Sequence, residues 1–322
     1  MATTIAPPRR LPSPPVSIQT LEPSDVARLR LPGQRGARAL RHELEQYPGR
    51  SVWAPSTLEF AIVGPWRNRP EIGCVNELVA VRQAEPLLRA AFERCVSHGD
   101  DLLLALELEA QRTPTRFERA GMDLLEEVIT YEMPTPRESR QPRPSTRYIP
   151  VRAGDVGAIE IVAAIDRAAF PWLWQNSRAE FDVYLRTPGV EVALIEVDGQ
   201  AIGYTGVTLF TGWGHLDRIA VAPGWQARGF GLEALWCAVD AMRQRGARRI
   251  GLSTQRTNRR SQRLYERFGF RRTYDHDYRL FGRWTHPESD TGPASTGRGT
   301  TRRVESPSAV TSVRKGSSTR YG

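Results

Sequence analysis

Three things are scarce in this chain, and each scarcity closes off a class of protein. Cysteine occurs only at Cys74, Cys95 and Cys237. The count is odd and the spacings are wide, so neither a disulfide framework nor a zinc site fits, and a reduced cytoplasm is the expected setting. Lysine occurs once, at Lys315, although lysine and arginine together number 45. Such complete use of arginine points to a GC-rich genome more than to selection for guanidinium chemistry. Long apolar runs are missing altogether. No window approaches the roughly 18 apolar residues of a membrane span, and residues 1–15, MATTIAPPRRLPSPP, lack the apolar core of a secretory signal.

What remains is ordinary globular material. The 322 residues are 40% hydrophobic and 25% charged, which excludes collagen-like repeats and wholesale disorder and, by length, predicts two domains. The net charge of +9 is unevenly spread. Residues 226–283 hold 14 arginines against five acidic residues, so this one segment carries the whole surplus. A phosphorylated ligand suits that field; nucleic acid is the weaker match.

Three stretches have too few apolar residues to offset the entropy of ordering them: residues 1–15, the Pro-rich segment 134–147, and the Ser/Thr/Gly/Arg-rich basic tail 287–322. The middle one reads as a linker, leaving modules at 16–133 and 148–286. The modules look like divergent copies. Phe117-Glu118-Arg119-Ala120-Gly121-Met122 matches Tyr265-Glu266-Arg267-Phe268-Gly269-Phe270, and apolar runs at 101–110 and 248–255 precede them at the same offset. Further upstream ELVAV (77–81) matches DRIAV (217–221). A period this long is a domain duplication.

In the second module, pattern predicts a strand at 148–152, a helix over 156–170 and a hairpin turning at Asp198-Gly199. A strand at 215–223, a helix bearing Leu232, Leu235, Trp236, Val239 and Met242 on one face, and a buried strand at 249–254 follow. A short helix over Arg259–Phe268 and a last strand near Tyr274–Phe281 complete an α+β order. Between the strand ending at Val221 and the helix starting near Gly229 lies Gln226-Ala227-Arg228-Gly229-Phe230-Gly231, a Q-x-x-G-x-G loop. Glycines here let the backbone turn its amides toward an anion, and a helix N-terminus adds about half a positive charge. A pyrophosphate would fit. The spacing is neither that of a P-loop nor that of a Rossmann fingerprint. About 30 residues on comes Asn258-x-x-Ser261-x-x-Leu264-Tyr265-x-x-x-Gly269-Phe270, whose Ser261, Leu264, Tyr265 and Phe268 share one helix face.

These two motifs, in this order and spacing, resemble the GNAT N-acetyltransferase superfamily over about 148–284. The resemblance implies two tandem GNAT-like domains, each a mixed, mainly antiparallel sheet flanked by helices, with acetyl-CoA as co-substrate and no metal. It implies that the strand at 216–221 splays from its neighbour and bonds pantetheine through Ile219, Ala220 and Val221. Loop amides from Gln226 through Ala227, Arg228, Gly229, Phe230 and Gly231 would hold the pyrophosphate. Asn258 and Ser261 would lie along the same ligand, and Tyr265 would face the departing thiolate as general acid. The base is less determined. Asp217 stands beside the implied thioester, either as base, directly or through water, or as an arginine's ion-pair partner; His215 and Glu196 are weaker candidates. Trp172, Trp174 and Trp213 could shape the pocket for a small-molecule or protein amine, or be core.

The first module departs from this pattern. RQAEPLL follows Val81 without a glycine and about seven residues short, Ala110 and Thr113 stand for Asn258 and Ser261, and Phe117 replaces the tyrosine. A GNAT-like fold without acetyl-CoA binding is the expectation there, its role structural or completing the acceptor site. The competing reading is a non-enzymatic acyl-CoA-binding regulator that contacts nucleic acid; it needs the loop but not Tyr265 and Asp217. No membrane partner is expected.

Overall fold

A computed structural model describes residues 16–31, 36–108, 116–134 and 146–286. The unstructured segments expected at 1–15 and 287–322, most of the linker, and Ala110 and Thr113 lie outside the described residues. The first half runs β1 (Gln19–Thr20), α1 (Ala37–Gln46), β2 (Val52–Ala54), β3 (Glu59–Trp66), β4 (Arg69–Val79), α2 (Ala84–Ser97), β5 (Leu102–Leu108), α3 (Arg116–Arg119) and β6 (Asp123–Met133). The second runs β7 (Thr146–Val151), α4 (Val156–Ala169), α5 (Arg178–Arg186), β8 (Val190–Val197), β9 (Gln200–Phe210), β10 (Trp213–Val221), α6 (Phe230–Gln244), β11 (Arg249–Gln255), α7 (Arg259–Phe268) and β12 (Arg271–Trp284).

Local chemistry explains the second half's elements. Asp198 and Gly199 both take positive φ, which the two-residue hairpin between β8 and β9 requires. Asn258 caps α7 by accepting from Ser261 N at 3.1 Å, and Gly269 ends it at φ 111°. Pattern reading missed α5. It buries only Phe181, so it has little apolar periodicity, and its start is fixed by Ser177 accepting from Glu180 N at 3.0 Å. Strand β12 is longer than anticipated because Arg271–Thr273 already pair with β6.

All twelve strands form one mixed, mostly antiparallel sheet, in the order β1-β2-β3-β4-β5-β12-β6-β11-β10-β9-β8-β7. The halves repeat each other: each has a meander followed by a parallel pair, β4 with β5 and β10 with β11. At the centre they trade last strands. Strand β12 lies against β5 of the first half, and β6 lies against β11 of the second. The two traded strands pair with each other. An irregularity in β12 between Thr273 and Tyr278 is fastened by Asp277, which is buried and accepts from Thr130 N at 3.0 Å, from Thr130 Oγ1 at 3.1 Å and from Arg272. The sheet is thus shared, and neither half owns a complete one.

Helices cover both faces. In the second half α4 and α5 pack on one face, around Ile159, Phe181 and Tyr204, while α6 and α7 pack on the other, around Leu235, Val239 and Tyr265. A third cluster joins Ile72, Leu102 and Leu104 of the first half to Leu173, Trp174 and Leu280 of the second. Because this core and the central strand pair both span the halves, neither can unfold while the other stays native. Calorimetry of the full chain should give one cooperative endotherm whose van't Hoff and calorimetric enthalpies agree; two resolved transitions would contradict this.

Candidate active site

The expected splay is present. Strand β10 pairs with β11 only from Trp213 to Leu216, opposite Arg249 to Leu252; beyond that the two diverge, while β10 stays on β9 through Val221. The divergence begins at an irregularity between Leu216 and Arg218, where Asp217 is the extra residue. Backbone direction alternates along a strand. Ala222 N bonds Ile202 O at 2.8 Å, so Ala220 also turns to β9, and Ile219 and Val221 turn to the open side. This corrects the expectation for Ala220, whose backbone groups serve the sheet.

The Q-x-x-G-x-G loop begins with a short 3-10 turn over Pro223–Trp225 and enters α6 at Gly229. Ala227 sits at φ 63° and Gly229 at φ 95°, so successive amides converge in the concave arrangement that favours anions. Among the described residues the amides of Ala227, Arg228, Gly229, Phe230 and Gly231 have no protein acceptor, and α6 has no side-chain cap. Gln226 plays a different part. Its own amide bonds Pro223 O, its Nε2 donates to Val221 O at 2.9 Å, and its Oε1 accepts from Arg260 at 2.8 Å. It therefore ties loop, strand and α7 together instead of facing a ligand. Arg228 lies over the Trp225 ring at 5.4 Å and, like Arg260 and Arg263, has no carboxylate partner among the described residues. Elsewhere in the basic segment Arg249, Arg256, Arg272 and Arg279 are tied to Glu132, Glu127, Asp277 and Glu107. Arg228 and Arg260 are the arginines that contact the loop directly.

Tyr265 is 4% exposed and packs with Leu216, Leu252 and Phe270 on the α6/α7 face. Burial pushes its phenol up to about 12, against the nearby Ser261 hydroxyl, which lowers it. Tyr131, on the traded strand β6, tilts against it with ring centroids 6.2 Å apart. Asn258 is the cap of α7, and Ser261 stands one turn before Tyr265 on the same helix.

Asp217 lies on the opposite face, and its partners are not arginines. Its Oδ2 accepts from Thr208 Oγ1 at 2.5 Å and from the Tyr184 hydroxyl; its Oδ1 lies 2.6 Å from His215 Nδ1. With both carboxylate oxygens engaged, Asp217 is poorly placed to act as a lone base. Burial, then the Asp217 charge, raises the Tyr184 phenol, so it stays a donor. Trp213 stacks on Phe210 at 5.2 Å and flanks His215 at 5.8 Å. Glu196, on the outer hairpin, pairs with Arg147 at 3.0 Å.

Trp172 and Trp174 belong to the join between the halves. Trp172 stacks on Trp284, and Trp174 meets Trp66 edge-on at 5.9 Å. Residue pattern gave no sign of the polar network beneath them. Asp166 on α4, 0% exposed, accepts from Asn176 N at 2.8 Å, from Tyr204 Oη at 2.5 Å and from Arg218. Arg218 also donates to Trp174 O at 3.0 Å and lies 3.9 Å from the Phe170 ring. Asp166 lies 38 positions from Tyr204 and 52 from Arg218, so no local motif could have revealed the network.

The first half keeps the layout but fills its loop. Strand β4 leaves β5 after Val75, yet the turn before α2 is closed by Glu59, whose carboxylate accepts from Gln83 N at 2.7 Å and Arg82 N at 3.3 Å. A carboxylate of the chain itself thus occupies the helix entrance that corresponds to the open loop of the second half.

A splayed strand runs into an uncapped, amide-rich helix entrance with a buried phenol beyond it, an arrangement whose chemistry suits an anion. Residues 159–270 match the model of the Acetyltransferase (GNAT) family and form a GNAT acetyltransferase domain. In sequence the chain is 27% identical over 111 residues, 34% of itself and 73% of the relative, to a protein of Bacillus subtilis (strain 168) assigned as a ribosomal-protein alanine N-acetyltransferase. In fold it is similar to a GCN5-related N-acetyltransferase from Sphaerobacter thermophilus, with TM-score 0.56 and 19% identity over 84% of this chain and 96% of that one. It is also similar to a tandem GNAT protein from the clavulanic acid biosynthesis pathway, with TM-score 0.54 and 13% identity over 85% and 99%.

Replacing Asp166 by Ala strands the Arg218 guanidinium without a counter-charge. Chemical denaturation should show a loss of about 3–5 kcal/mol; a loss below about 1 kcal/mol would mean that the pair contributes little.

Proposed function

We propose that the chain is an N-acyltransferase that moves an acetyl group from acetyl-CoA to a primary amine, with one live site, in the second half. The reading rests above all on the five unpartnered amides of residues 227–231 at the entrance of α6, opposite the same helix entrance filled by Glu59 in the first half. Those amides and the α6 dipole would hold the pyrophosphate, with Arg228, Arg260 and Arg263 around it. Ile219 and Val221 offer backbone groups to the pantetheine amides on the open side of β10, Val221 through its N–H because its carbonyl is taken by Gln226.

The reaction needs a neutral amine, which attacks the thioester carbonyl; the C–N bond forms, the C–S bond breaks, and one proton passes overall from nitrogen to sulfur. His215 is the better base, with Asp217 as its positioning residue. The Asp217 carboxylate, held by Tyr184 and Thr208, accepts from the imidazole at Nδ1, which leaves Nε2 as the nitrogen with the lone pair. Tyr265 donates its hydroxyl to the departing sulfur. With its phenol raised to about 12 it remains a donor across the whole working range, so it supplies no alkaline limb below about pH 11. The acceptor is a small-molecule or protein amine, and the setting is cytoplasmic. A nucleic-acid-binding regulator is disfavoured because four arginines of the basic segment are already paired with carboxylates.

Isothermal titration of acetyl-CoA into the full chain should give one equivalent bound, and none in the double variant Gly229→Glu, Gly231→Glu. Two equivalents would mean that the first half is also live; none in the parent chain would overturn the transfer reading. Tyr265→Phe should leave acetyl-CoA affinity unchanged and lower kcat by roughly 10²–10⁴-fold. In the parent chain kcat/KM should rise with pH as the amine deprotonates, then stay level to about pH 11. A fall beginning near pH 9 would argue against Tyr265 as the donor.

A further inference from the structure

The tip of the β3–β4 hairpin reaches from the first half onto the segment 172–180 of the second. Arg67 and Asn68 both take positive φ, at 54° and 51°, in a two-residue turn closed by Trp66 opposite Arg69. Each of the four residues grips the segment 172–180. Trp66 Nε1 donates to Leu173 O at 2.8 Å, Arg69 Nη1 to Trp172 O at 2.5 Å, Asn68 Nδ2 to Glu180 Oε2 at 2.5 Å, and Arg67 Nη1 to Asn176 Oδ1 at 2.7 Å.

Within this clasp Arg67 is out of balance. It makes a single side-chain hydrogen bond and has no ion pair among the described residues. Its Nε is fully enclosed yet has no acceptor. Its guanidinium lies 4.9 Å from the Trp66 ring and 5.2 Å from the Trp174 ring, and the buried Trp174 Nε1 beside it also lacks a partner. Burial, then the neighbouring Arg218 charge, lowers Arg67 to about 10. The carboxylates nearest in charge are already engaged: Asp166 by Arg218, Tyr204 and Asn176, and Glu180 by Asn68. Leaving buried donors unpaired is costly, and an enclosed cation without a counter-charge more so. With Nη1 turned to Asn176, the Nε–Nη2 edge has no acceptor among the described residues, and that edge is the fork that binds a carboxylate through two parallel N–H bonds.

The position connects to the reaction centre. Asn176, which holds Arg67, also donates its N–H to Asp166; Asp166 holds Arg218, and Arg218 is the neighbour of Asp217 on β10. Glu126, from the traded strand β6, is a half-buried carboxylate on the same side, raised by burial above the usual carboxylate range. We propose that the acceptor is an amine that also carries a carboxylate, and that Arg67, supplied by the first half, binds that carboxylate. This rests on the acetyl-transfer reading and gives the first half a part in recognition.

The test uses the full chain, acetyl-CoA and paired acceptors that differ only in the carboxylate: free amino acids and the amines left by their decarboxylation, with CoA release as the readout. The parent chain should favour the acid member of at least one pair by about ten- to hundredfold in kcat/KM. Arg67→Met should raise KM for that acid by a similar factor, with kcat and the KM of the decarboxylated amine nearly unchanged. Arg67→Lys, which keeps the charge but loses the fork, should fall between. Acetyl-CoA affinity measured by titration on the same variants reports whether the second half is still folded. Equal use of both members of every pair, consumption of neither despite acetyl-CoA binding, or an unchanged acid KM in Arg67→Met overturns the proposal. If the parent chain binds no acetyl-CoA, the transfer reading fails, and this proposal fails with it.

Discussion

The pairing of β6 with β12 is the constraint on which the rest of the molecule depends. Each is the final strand of its half, and each fills the place beside the other half's parallel pair. The exchange satisfies the ladder groups of β5 and β11, which would otherwise be open edges. It also carries side chains across the boundary. Tyr131 reaches the packing around Tyr265, and Val128 joins the cluster that contains Trp174. The first half therefore helps to determine how rigidly the second half holds Tyr265 and Trp174.

Duplication followed by divergence explains the asymmetry between two similar frames. Both halves part a parallel strand pair and both begin a helix at the opening. In the second half the backbone alone lines that opening, and glycine at 229 and 231 keeps it free of side chains. In the first half the loop is shorter, and Glu59 reaches the helix amides. The contrast is electrostatic as much as steric: one helix dipole is left for an outside anion, the other is already neutralised.

Much of this was legible in the sequence wherever the chemistry is local. The Q-x-x-G-x-G loop, the cap at Asn258 and the stop at Gly269 sit within a few residues of the groups they serve, so spacing alone locates them. The copy relation between residues 117–122 and 265–270 correctly implied a repeated frame. The strand exchange was not legible, because β6 and β12 have the same alternating pattern whichever half they join. The partners of Asp217 were not legible either, since Tyr184 and Thr208 come from other elements and meet it only through the sheet register. For the same reason Gln226 looked like a ligand contact until its side chain was seen to bridge Val221 and Arg260. Trp172 and Trp174 clustered in sequence as pocket candidates, but the aromatic stack that joins the halves accounts for Trp172 fully and for Trp174 in part.

Glu59 has a further consequence for any attempt to revive the first half. A carboxylate on the same chain, tethered a short distance from the helix entrance, competes at an effective concentration in the millimolar range or above. An outside anion of ordinary affinity cannot displace it by abundance. Substituting Glu59 alone would remove the resident anion but would not restore the missing loop length or the tyrosine hydroxyl. The resident carboxylate and the shortened loop are thus two separate departures from the second half, and drift that reverses one leaves the other standing.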